Sequence, residues 1–148
     1  MDNKEKAILI STVSSVLVLG CYSLYVYNFY IAENWSIVND FKFWGKAFLI
    51  LIPLTIVAQI VIIIIFSILN KIITSEDLHT IADERDKLIE LKAIRISHWT
   101  FIFGFLLAMG SQAFEMQVWV MFVILILSGF TSSLVSDFAK IYYYRKGF

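Results

Sequence analysis

The sequence predicts an all-α integral membrane protein, a four-helix bundle with both termini on the cytoplasmic side. Apolar residues make up 59% of the 148 residues and charged residues only 16%, which is more apolar than a soluble domain of this size. The apolar residues fall into four runs that are long enough to cross a bilayer, and none of them alternates with period two. Because only helices and closed barrels satisfy their backbone hydrogen bonds in lipid, the runs are predicted to be helices.

The four predicted spans form a single domain over residues 1–148, and they cover residues 7–31, 47–69, 96–113 and 118–138. A spanning helix needs about 20 predominantly apolar residues, so the third run lies at the short end of the range. Aromatic residues gather at the end of the first run and in the loop after it. Rings are expected at headgroup depth, although a ligand-binding aromatic box is an alternative explanation.

The distribution of cations predicts the orientation. Ten of the twelve Lys and Arg residues lie in the two tails or between the second and third runs, and only Lys42 and Lys46 lie elsewhere. Cations are retained on the cytoplasmic side, so the chain is expected in the cell inner (cytoplasmic) membrane with both ends inside. The formal net charge is zero, which gives no basis for direct nucleic-acid binding. The single cysteine, Cys21, rules out a disulfide framework.

Polar and small residues inside the runs predict helix contacts. Gln59 is the one strongly polar side chain deep in the second run, and it is expected to form an interhelical hydrogen bond. Gly104 and Ala108 form a small-xxx-small pair in the third run, which favours close helix packing within the chain or between protomers. The fourth run carries three serines four residues apart, at positions 128, 132 and 136.

The third helix is predicted to extend into the cytoplasm over residues 75–97. Thr74-Ser75-Glu76-Asp77 has the composition of a helix start, with a hydroxyl cap followed by acids in the first turn. No Gly or Pro follows until Gly104. One helix is therefore expected from about Glu76 through the third span.

This segment also carries most of the candidate chemistry. Four side chains at i, i+4, i+7 and i+11 share one helix side and could contribute to a divalent-cation site: His79, Asp83, Asp86 and Glu90. A second helix or protomer would have to complete that site, and a solvated acidic face explains the same pattern. No ionisable residue lies mid-span, and no nucleophile–base pair or phosphate loop is recognisable. No enzymatic activity and no cofactor are therefore expected.

One block of residues resembles a known family. Asp83-Glu84-Arg85-Asp86, then Ile89, Lys92-Ala93 and Arg95-Ile96, stand directly before the third span, and Tyr144-Arg145-Lys146-Gly147 follows the fourth. This order is similar to that of small prokaryotic four-span membrane proteins of unknown function, which show D-E-R-x-x-x-I-x-x-K-A before the third span and Y-R-R/K-G at the end. The resemblance implies no activity. It implies a cytoplasmic regulator as partner, because genes of the family often stand beside small helix-turn-helix regulators.

The sequence therefore predicts a non-enzymatic membrane protein that binds a cytoplasmic partner or a second protomer, in signalling or regulation. The residues expected to carry this binding are Asp83, Glu84, Arg85, Asp86, Lys92, Arg95, Arg145 and Lys146. Because the third and fourth spans form a short hairpin, Arg145 or Lys146 is expected to approach Glu84, Asp86 or Glu90.

Two alternatives come from other classes of protein. The first is a small oligomeric channel or transporter, with Gln59, Gln112 and the serine row of the fourth span (Ser128, Ser132 and Ser136) lining a path. The second is a metal-dependent membrane enzyme that uses the acidic face.

Overall fold

A computed structural model gives the fold, and it describes residues 3–74 and 83–146. Four long helices account for most of these residues: α1 (Asn3–Val26), α2 (Phe41–Thr74), α3 (Glu84–Ala113) and α4 (Val118–Lys146). A π-helical turn, Tyr27–Ile31, extends α1, and a 3₁₀ turn, Trp35–Asn39, leads into α2. The described part contains no strand. All four helices are long and apolar enough to cross a membrane, which confirms the all-helical class and the four candidate spans.

The third helix was expected to run unbroken from about Glu76, but α3 begins at Glu84. Asp83 has extended backbone angles (φ −69°, ψ 161°) and caps the helix together with Asp86 in a capping box. A capping box satisfies two backbone donors at once, which favours a start at this point. Thr74, expected near a helix start, is instead the last residue of α2. Residues 75–82 lie outside the described part.

The helices form two antiparallel hairpins. Ser15 and Gln59 are in contact in the first hairpin, as are Tyr22 and Ala47, so the residue numbers run in opposite directions along α1 and α2. Both helices of this hairpin pack on α4, whereas α3 packs closely only along α4 within the described residues. Within the described residues α4 is therefore the helix that links α3 to the first hairpin along its length.

Small residues allow α3 and α4 to approach closely. A Cβ added at Gly104 would overlap the Oγ and Cβ atoms of Ser128, and Ala108 is fully buried. The Ser132 hydroxyl donates to the carbonyl of Ser97 at 2.7 Å. The small-xxx-small pair of α3 therefore packs within the chain, in the way that membrane helices commonly associate.

Polar and aromatic contacts join the first hairpin to itself and to α4. The Gln59 amide donates to Ser15 Oγ at 2.7 Å, which confirms the predicted interhelical hydrogen bond. The Trp44 indole N–H donates to the carbonyl of Val38 at 2.7 Å. Its ring stacks on Phe122 of α4 with centroids 5.4 Å apart. The Gln59–Ser15 bond holds the middle of the hairpin, and the Trp44 contacts hold the end of the molecule that lies away from the termini.

Candidate functional site

The first turn of α1, the first turn of α3 and the last turn of α4 meet at one end of the molecule. The ammonium group of Lys4 lies 2.6 Å from Asp86 Oδ2, and the Tyr144 hydroxyl donates to Asp86 Oδ1 at 3.1 Å. Lys4 also lies over the Tyr144 ring, 6.0 Å from its centroid. We call Lys4, Asp86 and Tyr144 the terminal junction. It joins three elements that are far apart in the sequence.

Local structure at the start of α3 orients the Asp86 carboxylate. The backbone N–H of Asp83 donates to Asp86 Oδ2 at 3.0 Å, and the Asp83 carboxylate accepts from the Glu84 N–H at 2.7 Å. The capping box therefore holds the Asp86 side chain against the helix end while its two oxygens face Lys4 and Tyr144. Each hydrogen bond to a carboxylate contributes more than a bond between neutral groups.

Two further polar contacts tie α1 to α4 beside the junction. Arg145 Nε lies 3.2 Å from Glu5 Oε1, and Glu5 is buried while Arg145 remains largely exposed. About two turns deeper, the Thr12 hydroxyl donates to Asp137 Oδ2 at 2.7 Å. The N-terminal turn of α1 is thus held by charged groups of both α3 and α4.

The structure corrects the predicted pairing of the C-terminal tail. The tail does lie beside the acidic turn, because Tyr144 bonds Asp86. The cation that pairs with Asp86 is Lys4, however, and Arg145 pairs with Glu5. In the sequence the N-terminal tail carries a topology signal but no motif that predicts a contact. The opposite charges of the neighbouring residues Lys4 and Glu5 were the only available sign that the first turn of α1 forms ion pairs with other helices.

The predicted partner-binding residues divide into two groups. Asp83, Asp86 and Arg145 are engaged in capping or in ion pairs within the chain. Asp83 and Arg145 are nevertheless exposed, and so are the five residues of the second group: Glu84, Arg85, Lys92, Arg95 and Lys146. Two of these cations lie over rings of α4, with Lys92 Nζ 5.6 Å from the Tyr143 centroid and Lys146 Nζ 5.5 Å from the Tyr142 centroid.

The residues proposed for metal binding are not gathered into a site in the described part of the chain. His79 lies outside that part. Among residues 3–74 and 83–146 there is no group of three or more His, Cys, Asp or Glu side chains that could hold a metal ion. Asp86 instead receives an ammonium group and a phenol.

The residues proposed to line a path across the membrane are used mainly in helix packing. Ser128 donates to the carbonyl of Ile124 at 2.6 Å and packs against Gly104, while Ser132 bonds α3. Gln59 bonds α1. Gln112 lies 3.4 Å from the Ser111 hydroxyl near the end of α3. These contacts assign Ser128, Ser132 and Gln59 to contacts within and between helices.

The first turns of α3 have two contrasting sides. Ile89 and Ala93 are 0% exposed. Glu84, Leu88, Leu91 and Arg95 follow each other at spacings of four, three and four residues, which places them on one side of the helix, and all four are exposed. We call these four residues the exposed stripe. It presents two leucines between an acid and a base.

No family model, no curated protein and no solved structure matches the chain. The family resemblance noted from the residues before the third span and after the fourth therefore stays a prediction.

Proposed function

We propose that this chain is a four-span protein of the cytoplasmic membrane, with both termini in the cytoplasm, and that its exposed stripe binds a cytoplasmic regulatory protein. On this proposal the protein catalyses no reaction and acts in signalling or regulation. The observation that carries the proposal is the contrast within α3, where Ile89 and Ala93 are fully buried while Leu91 is 63% exposed.

The position of the stripe along α3 supports a binding role at the membrane surface. From Ala113 to Glu84 the helix extends about 44 Å at 1.5 Å per residue, and a bilayer with its headgroups is about 40–45 Å thick. The hydrocarbon core takes up about 30 Å of this thickness. With Ala113, the end of the predicted third span, at the outer boundary of the core, a helix close to the membrane normal carries Leu91, Leu88 and Glu84 about 3, 8 and 14 Å beyond the inner boundary. The two leucines would then lie in or at the edge of the headgroup layer, where water reaches them.

Covering the two leucines of the stripe with a partner is energetically favourable. Fully burying a leucine side chain contributes about 1.5–3 kcal/mol, and Leu88 and Leu91 are both roughly half exposed or more. A partner helix that covers both would gain on the order of 1 kcal/mol from each. An apolar pair at helical spacing is the usual anchor when one helix docks on another.

The charges at the two ends of the stripe favour a different protein over a second copy. Two copies in one membrane have the same orientation, so their α3 helices would be parallel. Glu84 would then face Glu84 and Arg95 would face Arg95, and like charges facing each other across an interface are unfavourable. The stripe fits a partner helix that places a base near Glu84 and an acid near Arg95.

The terminal junction fits this role as the support of the stripe. Lys4 and Tyr144 hold Asp86, which caps α3, so the first turn of α3 is fixed relative to both chain ends. A preorganised helix start loses less conformational entropy on binding than a frayed one.

Photo-crosslinking in native membranes tests the proposal. We expect p-benzoylphenylalanine in place of Leu88 to form a discrete adduct with another protein. The control is the same residue at Phe103, which is more exposed than Leu88 but lies deep in the apolar part of α3. Identical products at both positions, or adducts at position 88 with lipid or a second copy alone, would count against a cytoplasmic protein partner.

A further inference from the structure

Two adjoining hollows lie between the first hairpin and α4. The larger has a volume of about 410 Å³ and is lined by Tyr22, Tyr27 and Trp44 together with aliphatic side chains of both helices of the hairpin and of α4. The smaller, of about 320 Å³, reaches Ser15 and Gln59 and is also lined by Phe101 of α3. Leu19, Leu51 and Ile126 line both hollows, so the two are parts of one groove. Each volume falls within the range of small-molecule sites.

The lining of the groove selects a hydrocarbon. None of the described residues that line either hollow is charged. Around the larger hollow the polar side-chain groups are the hydroxyls of Tyr22, Ser23 and Tyr27 and the indole N–H of Trp44. The Tyr22 hydroxyl already donates to the carbonyl of Ala47 at 2.8 Å, and the indole N–H donates to that of Val38. At the other end Gln59 and Ser15 bond each other and Thr55 donates to the carbonyl of Ile52, while Ser133 adds one more hydroxyl. A charged or strongly hydrogen-bonding ligand would lose its hydration without finding matching partners here.

The length of the groove matches one leaflet of a bilayer. Along α2 its lining runs from Trp44 to Gln59, about 22 Å at the helical rise, and along α4 from Val123 to Ser133, about 15 Å. Half of a typical hydrocarbon core is about 15 Å. Tyr27 and Trp44 stand at the mouth, which is where aromatic rings meet the headgroups. The groove therefore leads from the membrane boundary to about the midplane.

From the polarity, volume and length of the groove we propose that it binds one acyl chain of a phospholipid in the leaflet remote from the termini. The chain enters beside Tyr27 and Trp44 and ends near the Gln59–Ser15 pair. This inference requires only that the four helices span a membrane, and it is independent of partner binding at the exposed stripe.

Tryptophan quenching by brominated lipid tests the inference. Trp44 is only 6% exposed, so bromine atoms approach it closely only if an acyl chain occupies the groove. With the other three tryptophans replaced by Phe, the protein is placed in vesicles of phosphatidylcholine with brominated acyl chains. We expect strong quenching of Trp44. Ser23→Phe, which fills the groove, should remove most of it. Val13→Phe, which places the same side chain at an exposed position of α1 outside the groove, should not.

A second measurement needs no tryptophan substitutions, so it tests the proposal even if those substitutions disturb folding. Native mass spectrometry of the otherwise unchanged chain, titrated with phosphatidylcholine in detergent, should show one lipid bound more tightly than the rest. Ser23→Phe should abolish that first binding step. Equal quenching in the Ser23→Phe and Val13→Phe proteins, or a first lipid unaffected by Ser23→Phe, would overturn the proposal.

Discussion

Replacing Asp86 by Asn should destabilise the protein by about 2 kcal/mol. The Asp86 side chain is 12% exposed and that of Lys4 is 35% exposed, so solvent screens the ion pair and its share is about 1 kcal/mol. The hydrogen bond from Tyr144 to the charged carboxylate adds about 1.5 kcal/mol, the low end for such bonds. The side-chain oxygen of Asn can still accept one hydrogen bond, for example from the Asp83 N–H in the capping box. The expected loss of stability is therefore about 2 kcal/mol, less than the sum of the two contributions.

The free energy of unfolding in mixed micelles, titrated with a denaturing detergent, measures this effect. Tyr144→Phe removes only the hydroxyl and should cost about 1.5 kcal/mol. Lys4→Met keeps the length of the side chain, and a double-mutant cycle of Lys4→Met with Asp86→Asn should give a coupling energy of about 1 kcal/mol. Glu90→Gln is the matched control, because Glu90 is an exposed acid on the same helix, and it should stay within about 0.5 kcal/mol.

The site of the effect is as informative as its size. Amide hydrogen exchange should become faster at the start of α3 in the Asp86→Asn protein, because the cap and both long-range partners are weakened together. A loss in Asp86→Asn equal to that in Glu90→Gln, or a coupling energy near zero, would refute the reasoning about the terminal junction.

Two further predictions concern packing and orientation. Gly104→Ala should destabilise the protein by about 1–3 kcal/mol through overpacking against Ser128, and adding Ser128→Gly to this variant should restore stability. Gly110→Ala is the control, because an added Cβ there meets nothing within 4 Å, and it should be neutral or stabilising. In a background without the native cysteine, Ser36→Cys should react with a membrane-impermeant thiol reagent from outside the cell and Lys87→Cys only after permeabilisation; the reverse would contradict the proposed orientation.

The helices and their hairpin order were predictable because the signals are local. Apolar run length identifies a span without knowledge of its neighbours, and the few residues between the third and fourth runs leave only an antiparallel hairpin. The hydrogen bond of Gln59 was predictable for a related reason, since a strongly polar group deep in a span needs a partner on a nearby helix.

The start of α3 was not predictable from local signals, because the chain contains two segments that resemble a helix start. The acids after Thr74 and the Asp83–Asp86 pair both have the composition of a helix start. The second is the one that begins α3, and there Asp86 also pairs with Lys4. That pairing joins residues 82 positions apart in the sequence, which no local pattern reveals.

The pairing of the C-terminal tail shows the same limit. Hairpin geometry was sufficient to bring the tail to the acidic turn. It could not show that Arg145 would pair with Glu5, because the position of α1 beside α4 depends on packing along the full length of both helices. Long-range contacts therefore decide which charged side chains are paired within the chain and which are left for a partner.

The most direct test of partner binding at the exposed stripe is a charge reversal within it. The adduct formed from p-benzoylphenylalanine at position 88 should be lost in Glu84→Arg, because the base of the partner helix would then face a base. It should persist in Glu90→Arg, which makes the same change of charge on another side of α3. Equal adduct yields in the two variants would contradict the account.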